Sequence, residues 1–204
     1  VGAVSTYTFS SINANHTISA TFTQRSYNIT ASAGSNGNIS PSGVNSVLCS
    51  TNKTFTFSAD PCYVIADVLV DGISQGPVSS YTFVNVTAAH SISVSFQQLT
   101  YSINASSGAN GNISPAGTSV INCGSNITYS ITPSPCYSIA DVIVDGISQG
   151  AVSSYTFTNV VASHSISATF SQISYTITVL SGTGGSISPS SGPVLCGNNQ
   201  LYTI

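Results

Sequence analysis

The chain of 204 residues contains no glutamate, methionine or tryptophan, and only seven of its side chains carry charge: Arg25, Lys53, Asp60, Asp67, Asp71, Asp141 and Asp145. Two cations cannot supply the basic face that a phosphate backbone requires, which excludes a nucleic-acid partner. The scarcity of acids excludes a paired-carboxylate glycosidase, and no Gly-x-Ser-x-Gly elbow accompanies the many serines. No apolar run of about 18 residues occurs, so no segment reads as a membrane-spanning helix. No stretch reads as a secretory leader, an absence that excludes nothing. Helical periodicity is missing, and Ala, Leu, Glu and Lys are nowhere dense enough to favour a helix. Low charge alone would suit a disordered chain, but such chains lack the regularly placed Ile, Val, Tyr and Phe found here.

What is present is a tandem repeat. Tyr7, Tyr81 and Tyr155 each open a Tyr-Thr-Phe triplet, 74 residues apart both times (81 − 7 and 155 − 81). The interval recurs at His16, His90 and His164, at Tyr27, Tyr101 and Tyr175, and at Cys62 and Cys136. Residues 25–98 and 99–172 are about 60% identical, so the copies are duplicates of one folding unit. The expected division is 1–24 as the C-terminal part of a repeat, 25–98 and 99–172 as complete repeats, and 173–204 as the N-terminal part of another. Both ends then fall inside repeats, as in a window cut from something longer. Copying a unit improves reach, array geometry and multivalency, and does little for an active site.

Within one repeat the pattern is that of short strands. Tyr27, Ile29, Ala31 and Ala33 alternate with polar residues, and the Gly34 to Asn38 stretch predicts a hairpin returning through Ile39-Ser40-Pro41. Val44 to Cys49 and Thr54 to Ser58 read as two more strands. The parity of the apolar residues slips between Ile65 and Val68, which predicts a bulge near Ala66-Asp67. Asp71-Gly72 is a turn dipeptide, and a second hairpin is expected between Tyr81-Phe83 and Ser91-Phe96. The fold class is therefore all-β, a series of small Ig-like sandwiches of about six or seven strands. Only a few residues separate Phe96 from Tyr101, so the array is expected to be stiff.

Cysteine spacing suggests how each small unit is stapled. Cys49 and Cys62 are 13 apart, as are Cys123 and Cys136, and a pairing inside each repeat is expected. A loop that short would add about 3 kcal/mol. Cys196 aligns with Cys123 after a one-residue deletion, so its partner is expected beyond Ile204. Two cysteines per unit with no histidine beside them fall short of a zinc site. Disulfides place the chain outside the reducing cytosol, secreted or on a cell surface.

Other candidates read as structural. His16, His90 and His164 precede the last strand of each unit with no carboxylate or cysteine pair near in sequence, and are read as turn residues capping by a hydrogen bond. Asp67 with Asp71, and Asp141 with Asp145, offer too few oxygens for calcium. Lys53 has no counterpart at Ile127, so an isopeptide link is not a repeating feature. Glycosylation triplets begin at Asn15, Asn28, Asn38, Asn52, Asn85, Asn104, Asn112 and Asn126, but Asn85-Val86-Thr87 becomes Asn159-Val160-Val161, so they are not built into the repeat. Thr54-Phe55-Thr56 has the Thr-x-Thr form of an ice-binding run, yet its aromatic marks a core strand. No catalytic, cofactor or metal residue is expected.

The run from Tyr81 to Phe96, together with Gly37-Asn38-Ile39-Ser40-Pro41-Ser42-Gly43 and Tyr63 to Gly72, resembles the divergent InlB B-repeat family of bacterial surface repeats. The family often has Tyr-Gly and Gly-Tyr where this chain has Cys49-Ser50 and Cys62-Tyr63, so the cysteines are a departure. The resemblance implies adhesin stalks and envelope arrays and supplies no catalytic residues. The expected function is a structural extracellular stalk or surface filament, self-associating end to end, with strands of one unit completing the sheet of the next. The alternative is a multivalent adhesin module in which Tyr7, Tyr81 and Tyr155 engage glycans.

Overall fold

A computed structural model describes residues 2–204, and every regular element in it is a strand. The first complete repeat comprises β1 (Ser26–Ala33), β2 (Gly37–Ser40), β3 (Gly43–Leu48), β4 (Lys53–Ala59), β5 (Tyr63–Val70), β6 (Ile73–Ser74), β7 (Ser80–Phe83) and β8 (His90–Gln98). The second repeats this set as β9 (Thr100–Ser107), β10 (Gly111–Ser114), β11 (Gly117–Asn122), β12 (Ile127–Pro133), β13 (Tyr137–Val144), β14 (Ile147–Ser148), β15 (Ser154–Phe157) and β16 (His164–Gln172). A short pair follows, β17 (Ser174–Ile177) with β18 (Gly192–Leu195).

Each repeat is a two-layer sandwich. Five strands in the order β3-β1-β8-β5-β6 form one layer, and three in the order β2-β4-β7 form the other. The second repeat has the same orders, β11-β9-β16-β13-β14 and β10-β12-β15. The inward members of each alternating pattern fill the space between layers: Ile29, Ala31, Phe55, Phe57, Val68, Val70, Phe83, Ile92 and Val94 in the first core, and Ile103, Ala105, Tyr129, Ile131, Val142, Val144, Phe157 and Ile166 in the second.

The first and last strands of a repeat lie side by side and parallel, with Ile29 opposite His90 and Ala33 opposite Val94. Sequence periodicity gives no sign of this pairing, and it displaces both expected hairpins. After the Gly34–Asn36 turn, β2 does not return along β1 but crosses to the other layer and pairs with β4. Gly37 permits the crossing, because a Cβ there would collide with the Phe96 ring, and Gly111 stands in the same relation to Phe170. Nor do β7 and β8 form a hairpin: β7 pairs with β4, while β8 lies between β1 and β5. The residues of these strands follow the alternation, whereas their partners are chosen by burial of both layers at once.

The bulge is present where parity slips, the register of β5 on β8 shifting between Ile65 and Asp67. Asp71 and Gly72 both have positive φ, 50° and 80°, and close the two-residue turn that pairs Val70 with Ile73.

Residues 2–25 form no strand, although their sequence matches the region of β7 and β8. In the complete repeat that region is held by β1, β4 and β5, all of them N-terminal to it in the chain. Phe22 is 93% exposed, whereas its counterpart Phe96 packs on the core.

Tyr129 is the one buried misfit among the described residues. It is fully buried, its hydroxyl has no hydrogen-bond partner, and Phe55 occupies the same place in the first repeat. An unpaired buried hydroxyl costs about 1–3 kcal/mol. Tyr129→Phe is therefore expected to raise stability by about 1 kcal/mol and Phe55→Tyr to lower it by a similar amount, read from denaturant midpoints.

Candidate functional site

The cysteines come together at the junction between repeats. Cys62 is bonded to Cys123 and Cys136 to Cys196, across 61 and 60 residues, and Cys49 is free. This corrects the expectation of Cys49–Cys62 and Cys123–Cys136 links, one inside each repeat, and of a Cys196 left without a partner in the chain. The reason lies in strand order. Cys49 follows β3 and Cys62 precedes β5, and β1 and β8 stand between those strands. At about 4.8 Å per strand the two strands are roughly 14 Å apart sideways, and Cys49 lies beside the start of β1 while Cys62 lies beside the end of the parallel β8, so the two also stand at opposite ends of the sheet, far beyond the 4.4–6.8 Å that a disulfide spans.

One linker residue sets up the observed pairs. Leu99 donates its N–H to the Cys62 carbonyl at 2.8 Å, and its own carbonyl accepts from the Cys123 N–H at 2.9 Å. The antiparallel ladder of β5 on β8 thus runs on through Leu99 into that of β9 on β11. Cys62 and Cys123 are left with Cα atoms 5.3 Å apart, inside the bonding range. Gln98 donates its side-chain amide to the Cys123 carbonyl at 3.5 Å. At the next junction Ile173 bridges Cys136 and Cys196 at 2.9 and 2.8 Å, and Gln172 donates to the Cys196 carbonyl at 2.9 Å. Cys49 occupies the same receiving position: its N–H donates to the Arg25 carbonyl at 2.7 Å, and Gln24 donates to its carbonyl at 2.8 Å.

A second cluster lies at the corner where β5 turns into β6. His90 Nδ1 is 2.7 Å from Asp71 Oδ2, and the Ser91 N–H donates to Asp71 Oδ1 at 2.7 Å. The imidazole lies against the Phe83 ring with centroids 4.9 Å apart. His164, Asp145, Ser165 and Phe157 repeat the arrangement, with Nδ1 2.6 Å from Oδ2. His16 keeps the aromatic half, its ring 4.9 Å from that of Phe9. Distance in sequence hid the carboxylate, which lies 19 residues upstream of each complete-repeat histidine (90 − 71 and 164 − 145). That doubled interval was the available signal.

An Asp-His pair suggests two-thirds of a catalytic triad, but the hydroxyl is misplaced for one. Ser91 Oγ lies against Asp71 Oδ1 at 3.4 Å rather than on the free imidazole nitrogen. The cluster instead fastens the start of β8 to the β5–β6 turn. Asp67 serves a neighbouring loop, accepting from Ser74 Oγ at 2.7 Å and the Gly76 N–H at 3.0 Å, and Asp141 does the same for Ser148 and Gly150. Each carboxylate of the Asp67–Asp71 pair is thus engaged by protein donors, and among the described residues no three His, Cys, Asp or Glu side chains converge as metal ligands. Tyr81 and Tyr155 pack edge-on against Phe83 and Phe157 at the cores.

The match in sequence falls on one whole sandwich. Residues 101–174 fit the family model of the divergent InlB B-repeat domain. That repeat is similar to the divergent InlB B-repeats. The preceding B-repeat-like unit shares its strand order and about 60% of its residues. No curated protein matches the chain.

Two predictions follow from this geometry. Non-reducing peptide mapping is expected to give Cys62–Cys123 and Cys136–Cys196 peptides and one alkylatable thiol, Cys49. Because each bond closes a loop of 60 or 61 residues, Cys62→Ser is expected to cost about 4 kcal/mol, more than the roughly 3 kcal/mol of a 13-residue loop. The second prediction concerns acid. The Ser91 N–H and then His90 hold Asp71 below its usual 3.8, while His164 and then the Ser165 N–H do so for Asp145. A depressed carboxylate stabilises the fold above the unfolded value and loses that contribution as pH falls through the lower folded one. Stability is therefore expected to hold from neutral pH to about 4 and to decline below, with Asp71→Asn and Asp145→Asn flattening the decline. Both carboxylates are some 44% exposed, so each accounts for no more than about 1 kcal/mol in an acid titration of stability.

Proposed function

We propose that the chain is a structural, extracellular array, the body of a stiff stalk or filament on a bacterial surface, with no catalysis of its own. The observation that carries the reading is the junction. One residue, Leu99, separates β8 from β9, its backbone continues the ladder of both repeats, and a disulfide spans the same point. Such a joint has little freedom to bend, so two sandwiches act as one rod. The disulfides support a location outside the reducing cytosol. No described helix is long and apolar enough to cross a membrane.

End-to-end association with neighbouring repeats or further copies belongs to the same proposal. The uncharged Ser, Thr and Asn on the outer faces of the strands put no like-charge repulsion in its way. For the glycan-binding alternative, Tyr81 and Tyr155 are held at the cores, and of the three tyrosines only Tyr7 is exposed, at 48%, so the repeated, multivalent surface which that reading needs is not presented by the two complete repeats.

Electron microscopy of the purified chain and of the native assembly tests the reading. Straight particles with a fixed angle between repeats are expected. Separate globules joined at variable angles would sink the proposal.

A further inference from the structure

The two disulfides share a property that neither has alone, and it depends on where they enter and leave the second repeat. Cys62 of the first repeat reaches Cys123 at the end of β11, and Cys136 at the start of β13 reaches Cys196. A continuous covalent path therefore runs from Cys62 to Cys123, along residues 124–135, and from Cys136 to Cys196. Everything else between Cys62 and Cys196, β5 to β11 across the first junction and β13 to β18 across the second, lies in closed loops off that path.

We propose that these bonds form a covalent bypass that makes the array nearly inextensible under tension, a mechanical function of the junctions that deepens the stalk reading and rests on it for its biological meaning. A tandem repeat without the bonds would pay out its whole length on unfolding. Seventy-four residues at 3.3–3.6 Å each come to roughly 250 Å. With the bonds in place only the 13 steps from Cys123 to Cys136 (136 − 123) can straighten, or roughly 45 Å. The sandwich can lose its fold and the stalk still holds nearly its full reach.

The segment left in the path is well placed to resist. It is mostly β12, the middle strand of the three-stranded layer, paired with β10 on one side and β15 on the other. Tyr129 and Ile131 anchor it in the core. Ladder hydrogen bonds run perpendicular to the strands, so a pull along β12 loads the bonds to both neighbours together instead of opening them one by one. The pairing expected from the 13-residue spacing would do the reverse: it would close small loops over β4 and β12 and leave the remainder of each repeat free to stretch.

Single-molecule force spectroscopy on the full chain, pulled from its two ends, decides the matter. The contour length at full extension is measured in oxidising buffer and again with a phosphine reductant. Reduction is expected to add the 61 and 60 residue spans held behind the bonds, roughly 400 Å. Cys136→Ser without reductant is expected to release roughly 200 Å of this, and the reduced wild-type chain serves as the check should that variant fold poorly. No difference on reduction, or one of only roughly 90 Å as two 13-residue loops would give, would overturn the bypass. The contour length decides it regardless of whether microscopy shows a rod, so the two proposals fail separately.

Discussion

The parallel pairing of the first and last strands is the constraint on which the molecule depends. Because β1 and β8 run the same way side by side, the chain enters a repeat at one end of the sandwich and leaves at the other. A hairpin between them would have returned the chain to its starting end and folded successive units back on one another. With the parallel arrangement each repeat is a step in one direction, and a single residue suffices to begin the next. The five-stranded order follows: β8 is held on one flank by β1 and on the other by β5, so the start of β5 arrives at the exit of the repeat.

That arrival explains the disulfides. Cys62 stands at the exit because it precedes β5, and Cys123 stands at the following entrance because it ends the strand paired with β9. Two cysteines that look remote in sequence are neighbours in space, while two that look close are held on opposite sides of a sheet. The energetic consequence favours the long link as well, since closing 61 residues restricts the unfolded chain more than closing 13. Cys62 and Cys136 also take positive φ, 70° and 68°, a region that L residues other than Asn and Asp seldom adopt. The chain accepts that backbone cost at the two positions where a side chain must reach the next repeat.

Strand residues, the core face, the β5 bulge and the Asp71-Gly72 turn were all legible from period-2 alternation and turn chemistry, which are local properties. Pairing was not. Alternation tells which side of Ile92 or Ile39 faces inward, but an apolar face is satisfied equally by a hairpin partner or by a strand sixty residues away. The same limit applied to the side chains. The 13-residue cysteine interval and the 61-residue one recur with nearly equal regularity, and only sheet order separates them. Asp71 and His90 repeat their spacing too, yet their contact depends on β5 and β8 being adjacent, which no local pattern announces.

Differences between the copies indicate which contacts the array requires. The linker position is Arg25, Leu99 and Ile173 in the three places it occurs, a cationic side chain in one and aliphatic ones in the other two. At each of them the carbonyl accepts from the following cysteine N–H, at 2.7, 2.9 and 2.8 Å. The joint uses only backbone groups, so the side chain is free to vary, whereas the neighbours that act through their side chains do not vary: Gln24, Gln98 and Gln172 all donate to the cysteine carbonyl. The core tolerates more, exchanging Phe55 for Tyr129 at the expense of an unpaired hydroxyl. Most of the interior is nonetheless kept, with Ile29, Val68, Phe83 and Ile92 recurring as Ile103, Val142, Phe157 and Ile166, so the copies retain both the packing that holds each sandwich and the glutamine contacts that hold the joint, and vary where a backbone group alone does the work.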